Sequence, residues 1–218
     1  MKTTAKQIVG ATVLLLTVAT CCWAGQELVP IQLPKPQLDG GKPLMQALKL
    51  RATSRSFSPQ SLSLQTIGNL LWAAGGINRP EEKKRTTPSA MNWQEIDLFV
   101  VMENGVYFYN PIAHELKPVV SGDFRTLTGN QEFIKEAPLT IVFVADLNRM
   151  GKTPPDKKEP FAWADAAFGS QNVYLFCASE GLATGVRASI DKPALAKAMK
   201  LADNQLIVFA MSVGLPKK

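Results

Sequence analysis

The sequence is poor in the two residue types that most often bind metals or act as nucleophiles and bases. It contains three cysteines and one histidine in 218 residues, and Cys21 and Cys22 lie in a segment that we expect to be removed. The remaining Cys177 cannot form an internal disulfide. With His114 as the only histidine, a zinc site of the usual kind is excluded, and a Ser-His-Asp or Cys-His hydrolase requires His114 as its base. Because Pro111–Glu115 follows a predicted strand, we expect His114 to lie in a surface turn.

A strong excess of charge of one sign is also absent. The net charge is +6, but residues 1–24 contain two lysines and no acidic residue. The rest of the chain has 22 basic and 18 acidic residues, a net charge of +4. Its basic residues are scattered and not interleaved with aromatic residues, which gives little support for a nucleic-acid surface. With 46% hydrophobic residues and no visible repeat, the composition is that of one globular domain.

No apolar run is long enough for a membrane-spanning helix. Two lysines precede the run Ile8–Ala19, whose length of about 12 residues falls short of the roughly 20 that span a bilayer. With Cys22-Trp23-Ala24 as a cleavage site, residues 1–24 have the layout of a secretory signal peptide. This predicts an exported, periplasmic protein with no transmembrane anchor after cleavage, and the lack of a twin-arginine pair favours export before folding. Lipidation at Cys21 is a minor alternative, because Thr20 just before it fits that signal poorly.

The spacing of apolar and turn-forming residues predicts helices and strands in mixed order. After an extended, proline-rich arm over residues 25–43, the predicted helices are Leu44–Ala52, a helix capped by Ser63 and ended by Gly75-Gly76, Phe124–Lys135, Ala162–Glu180, and Lys192–Lys200 with Asp191 as its cap. The predicted strands are Ile96–Met102, Val106–Tyr109 after an Asn104-Gly105 turn, Leu139–Ala145, Thr184–Ile190 and Gln205–Val213. The predicted loops are Asn78–Pro88 and Asn148–Pro160. A hairpin followed by alternating strands and helices indicates an α+β fold.

The first of three motifs is Arg51-Ala52-Thr53-Ser54-Arg55-Ser56-Phe57, at the end of a short predicted helix. Its two cations and several hydroxyl groups can bind a phosphate and place a fixed positive charge beside the rest of a phosphorylated ligand. A pattern this short recurs by chance, so its weight depends on the other parts of the chain.

Two further motifs follow. Pro88-Ser89-Ala90-Met91-Asn92-Trp93-Gln94 lies just before a predicted strand, and its serine, asparagine and glutamine can exchange hydrogen bonds with a planar heterocycle. Glu180–Asp191 combines a helix end, a glycine turn, a strand and an aspartate cap. For this third motif alone, glycines chosen only for their backbone conformation remain a competing interpretation.

Together the motifs resemble the flavin-dependent nitroreductase family. Its Arg-x-Ser/Thr-x-Arg-x-Phe start, its Pro-Ser-Ala/Ser-x-Asn-x-Gln loop and its Gly-Leu-x-Thr/Ser stretch are matched in order over residues 44–218, with Glu95 where a proline usually follows the glutamine. Weaker matches at Gly129-Asn130-Gln131, Phe168–Asn172 and Val213–Pro216 keep the register. The resemblance implies an α+β fold with a central, mainly antiparallel sheet flanked by helices, in a homodimer with FMN at the interface.

The resemblance also implies a role for each matched residue. Arg51 and Thr53 would bind the FMN phosphate, and Arg55 would lie at the N1/O2 edge, where a cation stabilises the negative charge of the reduced ring. The other implied cofactor-binding residues are Ser89, Asn92 and Gln94, commonly against the ring of the partner subunit; Asn130 or Gln131 at the pyrimidine; the backbone amides of Ala188 and Ser189 at N5 and O4; and Lys217, with Lys218, on the phosphate if that contact is made at all.

The implied chemistry is a ping-pong hydride transfer through FMN, for which the protein supplies no catalytic residue of its own. NAD(P)H is the family's donor, the acceptor is electron-poor, such as a nitroaromatic compound or a quinone, and residues 148–160 are the candidate lid. The overall pattern is also close to the azoline dehydrogenases of peptide modification. Those carry a Lys-Tyr pair where this chain has Arg149-Met150-Gly151-Lys152, which disfavours azole formation.

The predicted export leaves the electron donor open, because nicotinamide cofactors are not normally available outside the cytoplasm. One alternative is an exported relative that binds a flavin or another small ligand without turnover. The other is a globular domain unrelated in function.

Overall fold

A computed structural model describes residues 27–217. In this part of the chain the α-helices are α1 (Leu44–Leu50), α2 (Leu64–Gly75), α3 (Pro155–Glu180) and α4 (Lys192–Ala198). The β-strands are β1 (Ile31–Gln32), β2 (Ile77–Arg79), β3 (Lys84–Arg85), β4 (Ile96–Met102), β5 (Gly105–Asn110), β6 (Glu115–Ser121), β7 (Leu139–Asp146), β8 (Ala183–Arg187) and β9 (Gln205–Gly214). The predicted signal peptide and cleavage site lie outside the described residues. Among the helices of residues 27–217, none is long and apolar enough to cross a membrane.

Seven strands form one sheet in the order β1-β6-β5-β4-β7-β9-β8. Every neighbouring pair in it is antiparallel, and β2 pairs with β3 in a separate two-stranded sheet. β7 lies between β4 and β9, whereas β8 forms one edge of the large sheet. The predicted α+β fold with a central antiparallel sheet is therefore confirmed.

The side chains of β7 alternate between two hydrophobic cores. Ile141 and Phe143 face a core that includes residues of α2 and α3. Val142 and Val144 face a second core, which includes Leu195 of α4. Because successive side chains of a strand point to opposite faces and both faces are covered, the strand is a continuous apolar run, as predicted.

Two predicted helix caps are confirmed. The Ser63 side chain accepts a hydrogen bond from the Thr66 backbone N–H at 3.1 Å, at the start of α2. The Asp191 side chain accepts one from the Ala194 backbone N–H at 3.1 Å, at the start of α4. Each cap satisfies a backbone donor that has no partner within its helix.

The predicted helix Phe124–Lys135 is wrong. The chain forms two short 3-10 helices, Arg125–Thr128 and Glu132–Lys135, separated by Gly129 in an extended conformation. A Cβ atom at Gly129 would lie 2.6 Å from the Nε atom of Arg187. The buried Arg187 side chain therefore occupies the space beside the backbone at this point, and only a residue without a side chain fits there.

The two predicted loops are also wrong in part. Asn78–Pro88 contains the β2–β3 hairpin, which turns at Lys83 in the left-handed conformation (φ 53°). Asn148–Pro160 overlaps a 3-10 helix at Leu147–Met150 and the start of α3 at Pro155, because proline is tolerated in the first turn of a helix. No strand is predicted at β6, because Pro118 interrupts its alternation of apolar and polar residues.

His114 lies in the predicted turn, in the left-handed conformation (φ 51°), but it is not a free surface residue. Its ring is half-buried, with Nδ1 2.9 Å from the Tyr109 hydroxyl and Nε2 3.0 Å from the Pro34 carbonyl oxygen. Burial lowers its pKa, while the hydrogen bond to Pro34 acts in the opposite direction. The histidine thus ties the N-terminal arm to β5. Within residues 27–217 no three His, Cys, Asp or Glu side chains group in a way that could hold a metal ion.

Candidate functional site at the β8 edge

The Arg51–Phe57 segment is bound along the outer edge of the large sheet. The Ser54 backbone N–H donates to the Thr184 carbonyl oxygen of β8 at 2.8 Å. Phe57 is fully buried and forms a bridge to Pro216. A hydrophobic anchor and a backbone hydrogen bond to an edge strand therefore fix the segment that carries the two predicted cations.

The hydroxyl group of Tyr174, on α3, connects this segment to β8. It lies 3.1 Å from Thr53 Oγ1 and accepts a hydrogen bond from the Val186 backbone N–H at 3.0 Å. The guanidinium of Arg51 lies over the Tyr174 ring, 5.4 Å from its centroid, a cation–π arrangement that restrains an otherwise mobile side chain.

The two arginines of the segment present their charges to solvent. Arg51 and Arg55 are both exposed, and neither forms an ion pair with an acidic side chain among residues 27–217. Unpaired cations held on an anchored segment can bind an anion without first breaking a salt bridge.

Close approach of the segment to β8 depends on Gly185. A Cβ atom at this position would lie 3.1 Å from the Ser54 carbonyl oxygen and 3.2 Å from Thr53 Cγ2. Both distances are tighter than ordinary van der Waals contact. The glycine of the third motif is therefore required for packing, and the competing interpretation based on backbone conformation alone is not needed here.

The chain leaves β8 with two free backbone donors. Ala188 and Ser189 are exposed, and within the described residues neither amide N–H donates to a protein acceptor. The Ala188 carbonyl oxygen accepts from the Ile190 N–H at 2.9 Å, which forms a tight turn directly after the strand. Two adjacent N–H groups are thus available to acceptor atoms of a ligand.

Buried Arg187 attaches the Thr128–Gln131 segment to the same strand. Its guanidinium donates to the Thr128 carbonyl oxygen at 2.7 Å, to Thr128 Oγ1 at 2.6 Å and to Ser212 Oγ at 2.9 Å. Burial lowers the pKa of Arg187 to about 10, so it stays charged at neutral pH. The exposed side chains of Asn130 and Gln131 follow within three residues, next to β8.

We call these residues the β8 cluster: Arg51–Phe57, Thr128–Gln131, Tyr174 and Thr184–Ser189. Lys217 lies beside it, with its backbone N–H 3.5 Å from the Ser56 carbonyl oxygen. Its Nζ lies 3.5 Å from a carboxylate oxygen of Glu136, which competes with any ligand for that charge. The structure therefore brings together the first motif, the third motif and the residues near Asn130.

The second motif lies elsewhere, in what we call the 89–94 loop (Ser89–Gln94). The Ala90 backbone N–H donates to Asp165 Oδ2 of α3 at 2.8 Å. Asp165 is nine residues from Tyr174, or about 14 Å along a helix. The loop also precedes Ile96, which pairs with the end of β7, whereas the β8 cluster lies by the start of β7 near Leu139. Within one subunit the 89–94 loop thus lies at the end of β7, whereas Arg51–Phe57 lies level with its start, on the far side of β9.

The loop has a defined and unusual backbone. Met91, Asn92 and Gln94 all have positive φ angles, of 50°, 55° and 50°, which are costly for residues other than glycine. Ser89 Oγ accepts from the Gln94 N–H at 2.9 Å, and Gln94 Nε2 donates to Asn92 Oδ1 at 3.2 Å. Arg149 donates to the Gln94 carbonyl oxygen at 2.9 Å. All three predicted side chains of this motif therefore take part in an internally bonded loop.

Comparison with known proteins decides the family. The model of the nitroreductase family matches residues 48–215. The chain belongs to the nitroreductase family. It is similar to the crystal structure of a candidate nitroreductase from Ralstonia eutropha, with 39% identity, a TM-score of 0.83 and coverage of 87% of this chain and 90% of that one.

Two other comparisons are more distant. A candidate nitroreductase of Methanocaldococcus jannaschii is 27% identical over 144 residues, which is 62% of this chain and 72% of that protein. The microcin synthetase McbBCD complex of E. coli contains a chain with the same fold, at 19% identity and a TM-score of 0.67, covering 95% of this chain and 85% of that one. At this identity the last similarity concerns the fold alone.

Nitroreductases typically use FMN, and the β8 cluster fits that group. Its unpaired cations, Arg51 and Arg55, suit a phosphate group and a ring that carries negative charge when reduced. The backbone amides of Ala188 and Ser189 suit the hydrogen-bond acceptor atoms of the ring. The absence of a side chain at Gly185 keeps the cationic segment against the strand. These are the donor types that an anionic phosphate and an electron-rich heterocycle require.

Several residues that shape the site were missed at the level of sequence. The sequence predicts helices that contain Tyr174, Thr128 and Asp165, but it predicts no role for these side chains. Near Arg187 it predicts ligand contacts only for the neighbouring backbone amides, not for the arginine side chain. Their hydrogen-bond partners are far away in the chain, so no local pattern marks them. Glu95 did carry a signal, since it replaces the proline usual in the family, and it is fully buried.

Most of the predicted lid at residues 148–160 is not a free loop, and residues 151–154 form a short turn between two helices. Arg149 forms a bidentate pair with Asp97, at 2.9 and 2.7 Å, and a contact with Asp146 at 3.3 Å. Met150 is buried in the core, and α3 begins at Pro155. The segment is therefore fixed to the sheet and to the 89–94 loop.

Proposed function

We propose that this nitroreductase-family chain is an FMN-dependent oxidoreductase that acts as a homodimer with two flavins at its interface. The observation that carries the proposal is the β8 cluster, in which two unpaired guanidinium groups and two free backbone amides lie along one strand edge. Such a row of donors suits a ligand with a phosphate at one end and a polar ring at the other.

The proposed roles follow from what each side chain can offer. Arg51, held over Tyr174, and Thr53 bind the phosphate, and Arg55 places its charge at the N1/O2 edge of the ring. Buried Arg187 adds a second positive charge behind the strand, which favours negative charge on a bound ring. Lys217 contributes less to the phosphate, because Glu136 shares its charge.

The neutral donors complete the proposed ring contacts. The amides of Ala188 and Ser189 donate to N5 and O4, and the amide side chain of Asn130 or Gln131 binds the pyrimidine. These groups orient the ring, since a hydrogen bond to a fixed backbone amide has little freedom to move.

Two features support the homodimer. The 89–94 loop precedes β4, which is three strands away from β8 in the sheet, so Ser89, Asn92 and Gln94 would reach a ring held by the partner if two subunits join symmetrically. Apolar side chains also remain exposed on the 89–94 loop and on α3, the two elements that we expect at the dimer interface. Met91 of the loop is 83% exposed, and Phe168 of α3 is 47% exposed. Large exposed apolar groups are typical of association surfaces.

FMN held by these residues would supply hydride transfer from a donor to an electron-poor acceptor, such as a nitroaromatic compound or a quinone, in two half-reactions. The residues of this chain bind and orient the cofactor and stabilise charge on it. The donor is NAD(P)H by analogy with the family. The predicted export, which concerns residues outside the described part of the chain, remains the reason to test other donors as well.

The test is cofactor identification followed by a donor and acceptor screen. The protein is purified natively after growth with excess riboflavin, its cofactor is identified by absorbance and mass, and its mass in solution is measured. We expect a yellow dimer containing FMN that oxidises a donor in the presence of a quinone or nitroaromatic. A colourless monomer would contradict the proposal. Tightly bound FMN without turnover under any donor would instead favour a binding protein.

A further inference from the structure

Glu95, which follows the 89–94 loop, is a buried carboxyl group without a hydrogen-bond donor. The residue has 0% exposure, and neither carboxylate oxygen has a hydrogen-bond partner within the described chain. Its backbone carbonyl oxygen accepts from the Asp146 N–H at 2.9 Å, so the residue is tied to the end of β7. Burial therefore raises the pKa of Glu95, against the smaller lowering effect of its own backbone N–H.

The group that faces Glu95 is another carboxyl group, that of Asp165 on α3. A side-chain hydrogen bond with Asp165 is one of the causes that raise the pKa of Glu95, and Asp165 is only 5% exposed. Two carboxylates can only repel each other, whereas a protonated Glu95 donates its O–H to the Asp165 carboxylate. Protonation of Glu95 thus gives this buried group a hydrogen-bond partner.

The nearby cations do not supply it. On β3, the Arg85 guanidinium donates to the Ile96 carbonyl oxygen at 2.6 Å, while its Nε is buried without a partner in the described chain and forms no hydrogen bond with Glu95. Its charge favours the ionised form of Glu95. The other cation, Arg149, is already paired with Asp97 of β4 and Asp146 at the end of β7. Those two carboxylates add negative charge to the surroundings, and the proton remains the simplest partner for Glu95.

The acid pair is connected to the loop through Asp165. Besides facing Glu95, the Asp165 carboxyl group accepts the Ala90 N–H at 2.8 Å. That contact leads directly into Met91 and Asn92, two of the three left-handed residues of the loop. A backbone in this conformation persists only when surrounding contacts hold it. The Asp165 contact attaches Ala90 to α3, next to the edge-to-face packing of Trp93 on Phe161 of the same helix at 5.5 Å.

We propose that Glu95 carries a proton that it donates to the Asp165 carboxylate, and that the two act as a positioning pair, which holds the 89–94 loop in the conformation that contacts FMN. The proposal rests on the proposed function for the flavin contact, but not for the pair itself. Both groups are buried, so neither touches the cofactor. Loss of the proton places two like charges face to face, and since Glu95 is fixed by β7, the side that yields is Asp165 with the loop attached to it.

Protection of the loop against hydrogen exchange tests the pair directly. Exchange of the peptide containing Ala90 is measured from pH 5.5 to 8.5 on the full chain, with and without FMN, and corrected for the intrinsic effect of pH. FMN affinity is measured by flavin fluorescence over the same range. We expect loop protection and FMN affinity each to fall on the order of tenfold between pH 6 and 8. Burial, and secondarily Asp165, raise the pKa of Glu95 to about 7, which places the change in this range.

Glu95→Gln and Asp165→Asn are the decisive variants, because each amide supplies the missing donor permanently. We expect both to hold the loop at every pH and to flatten the two profiles, so the result does not depend on one variant folding. Glu103→Gln, an exposed position in the turn after β4, is the control and should keep the wild-type profile.

The outcomes are distinct. A wild-type loop whose protection does not change with pH, or an amide variant that keeps the wild-type profile, would overturn the proposal. Loop protection that titrates while FMN affinity stays constant would overturn the positioning role. A chain that binds no FMN at any pH, but whose loop titrates in the wild type and not in Glu95→Gln, would support the pair and overturn the proposed function.

Discussion

The Tyr174 hydroxyl group lies 3.1 Å from Thr53 Oγ1 and accepts the Val186 backbone N–H at 3.0 Å. Through this one group, helix α3 holds both the cationic segment and the edge strand against which it lies. The same ring carries the Arg51 guanidinium on its face. The position of the proposed phosphate ligands therefore depends on an aromatic residue that does not itself carry charge.

Replacing Tyr174 with phenylalanine separates these two roles. Tyr174→Phe keeps the ring beneath Arg51 but leaves Thr53 and the Val186 N–H without their partner. We expect FMN affinity, measured by quenching of flavin fluorescence, to fall on the order of tenfold, and the free energy of unfolding to fall by about 1–2 kcal/mol. Tyr107→Phe, which loses a 2.9 Å hydrogen bond with Asn104, is the control. Equal loss of FMN affinity in both variants would contradict the specific role of Tyr174.

A methyl group at Gly185 should displace the cationic segment. In Gly185→Ala the new Cβ would meet the Ser54 carbonyl oxygen at 3.1 Å, and overpacking of this kind costs about 1–3 kcal/mol. We expect weaker FMN binding with the secondary structure retained, as judged by fluorescence titration and circular dichroism. Gly40→Ala, where a Cβ would meet nothing within 4 Å, should bind FMN like the wild type. Normal affinity in Gly185→Ala would show that the segment is not placed by this contact.

The separation of the β8 cluster from the 89–94 loop predicts complementation between subunits. A cation variant (Arg51→Met with Arg55→Met) and an acidic loop variant (Asn92→Asp with Gln94→Glu) should each lose FMN alone. Co-expressed in equal amounts, they form mixed dimers in half of the population, and each mixed dimer has one intact site. We therefore expect about a quarter of the sites to bind FMN. No recovery in isolated mixed dimers would place both elements in the same subunit's site.

The stability of the protein should depend on pH through Glu95. Burial, and secondarily its neighbour Asp165, raise the pKa of this group from 4.5 to about 7 in the folded state, so between these values the folded chain binds more protons than the unfolded chain. Its stabilising contribution is present below pH 4.5 and is lost as the pH rises through about 7. This amounts to up to about 3 kcal/mol.

Denaturant unfolding at pH 4.5 and pH 8 isolates this contribution. Relative to the wild type, Glu95→Gln should gain up to about 3 kcal/mol between the two pH values, because the amide cannot ionise. Exposed Glu103→Gln should track the wild type. If Glu95→Gln and the wild type differ in free energy of unfolding by the same amount at both pH values, Glu95 has an ordinary pKa in the folded protein.

The sequence predicted the parts of the site that depend on local pattern. Arg51–Phe57 and the stretch around Gly185 could be recognised because residue types at fixed spacing carry the motif, and β7 could be recognised because its apolar run covers two cores. Tyr174 could not be identified, since its role comes from contacts with Thr53 and Val186, which are distant in the chain. The break at Gly129 was missed for the same reason, because a buried side chain from β8 imposes it.

The central claim is that the β8 cluster holds FMN through Arg51 and Arg55, and cofactor stoichiometry tests it most directly. The wild type, the Arg51→Met/Arg55→Met variant and a control of equal charge change, Lys35→Met/Lys157→Met at exposed positions, are reconstituted with FMN. Bound FMN per chain is then measured by mass and absorbance after gel filtration. We predict near-full occupancy in the wild type and the control. In the double arginine variant we predict an FMN affinity at least about 100-fold lower. Equal occupancy in all three proteins would contradict the account.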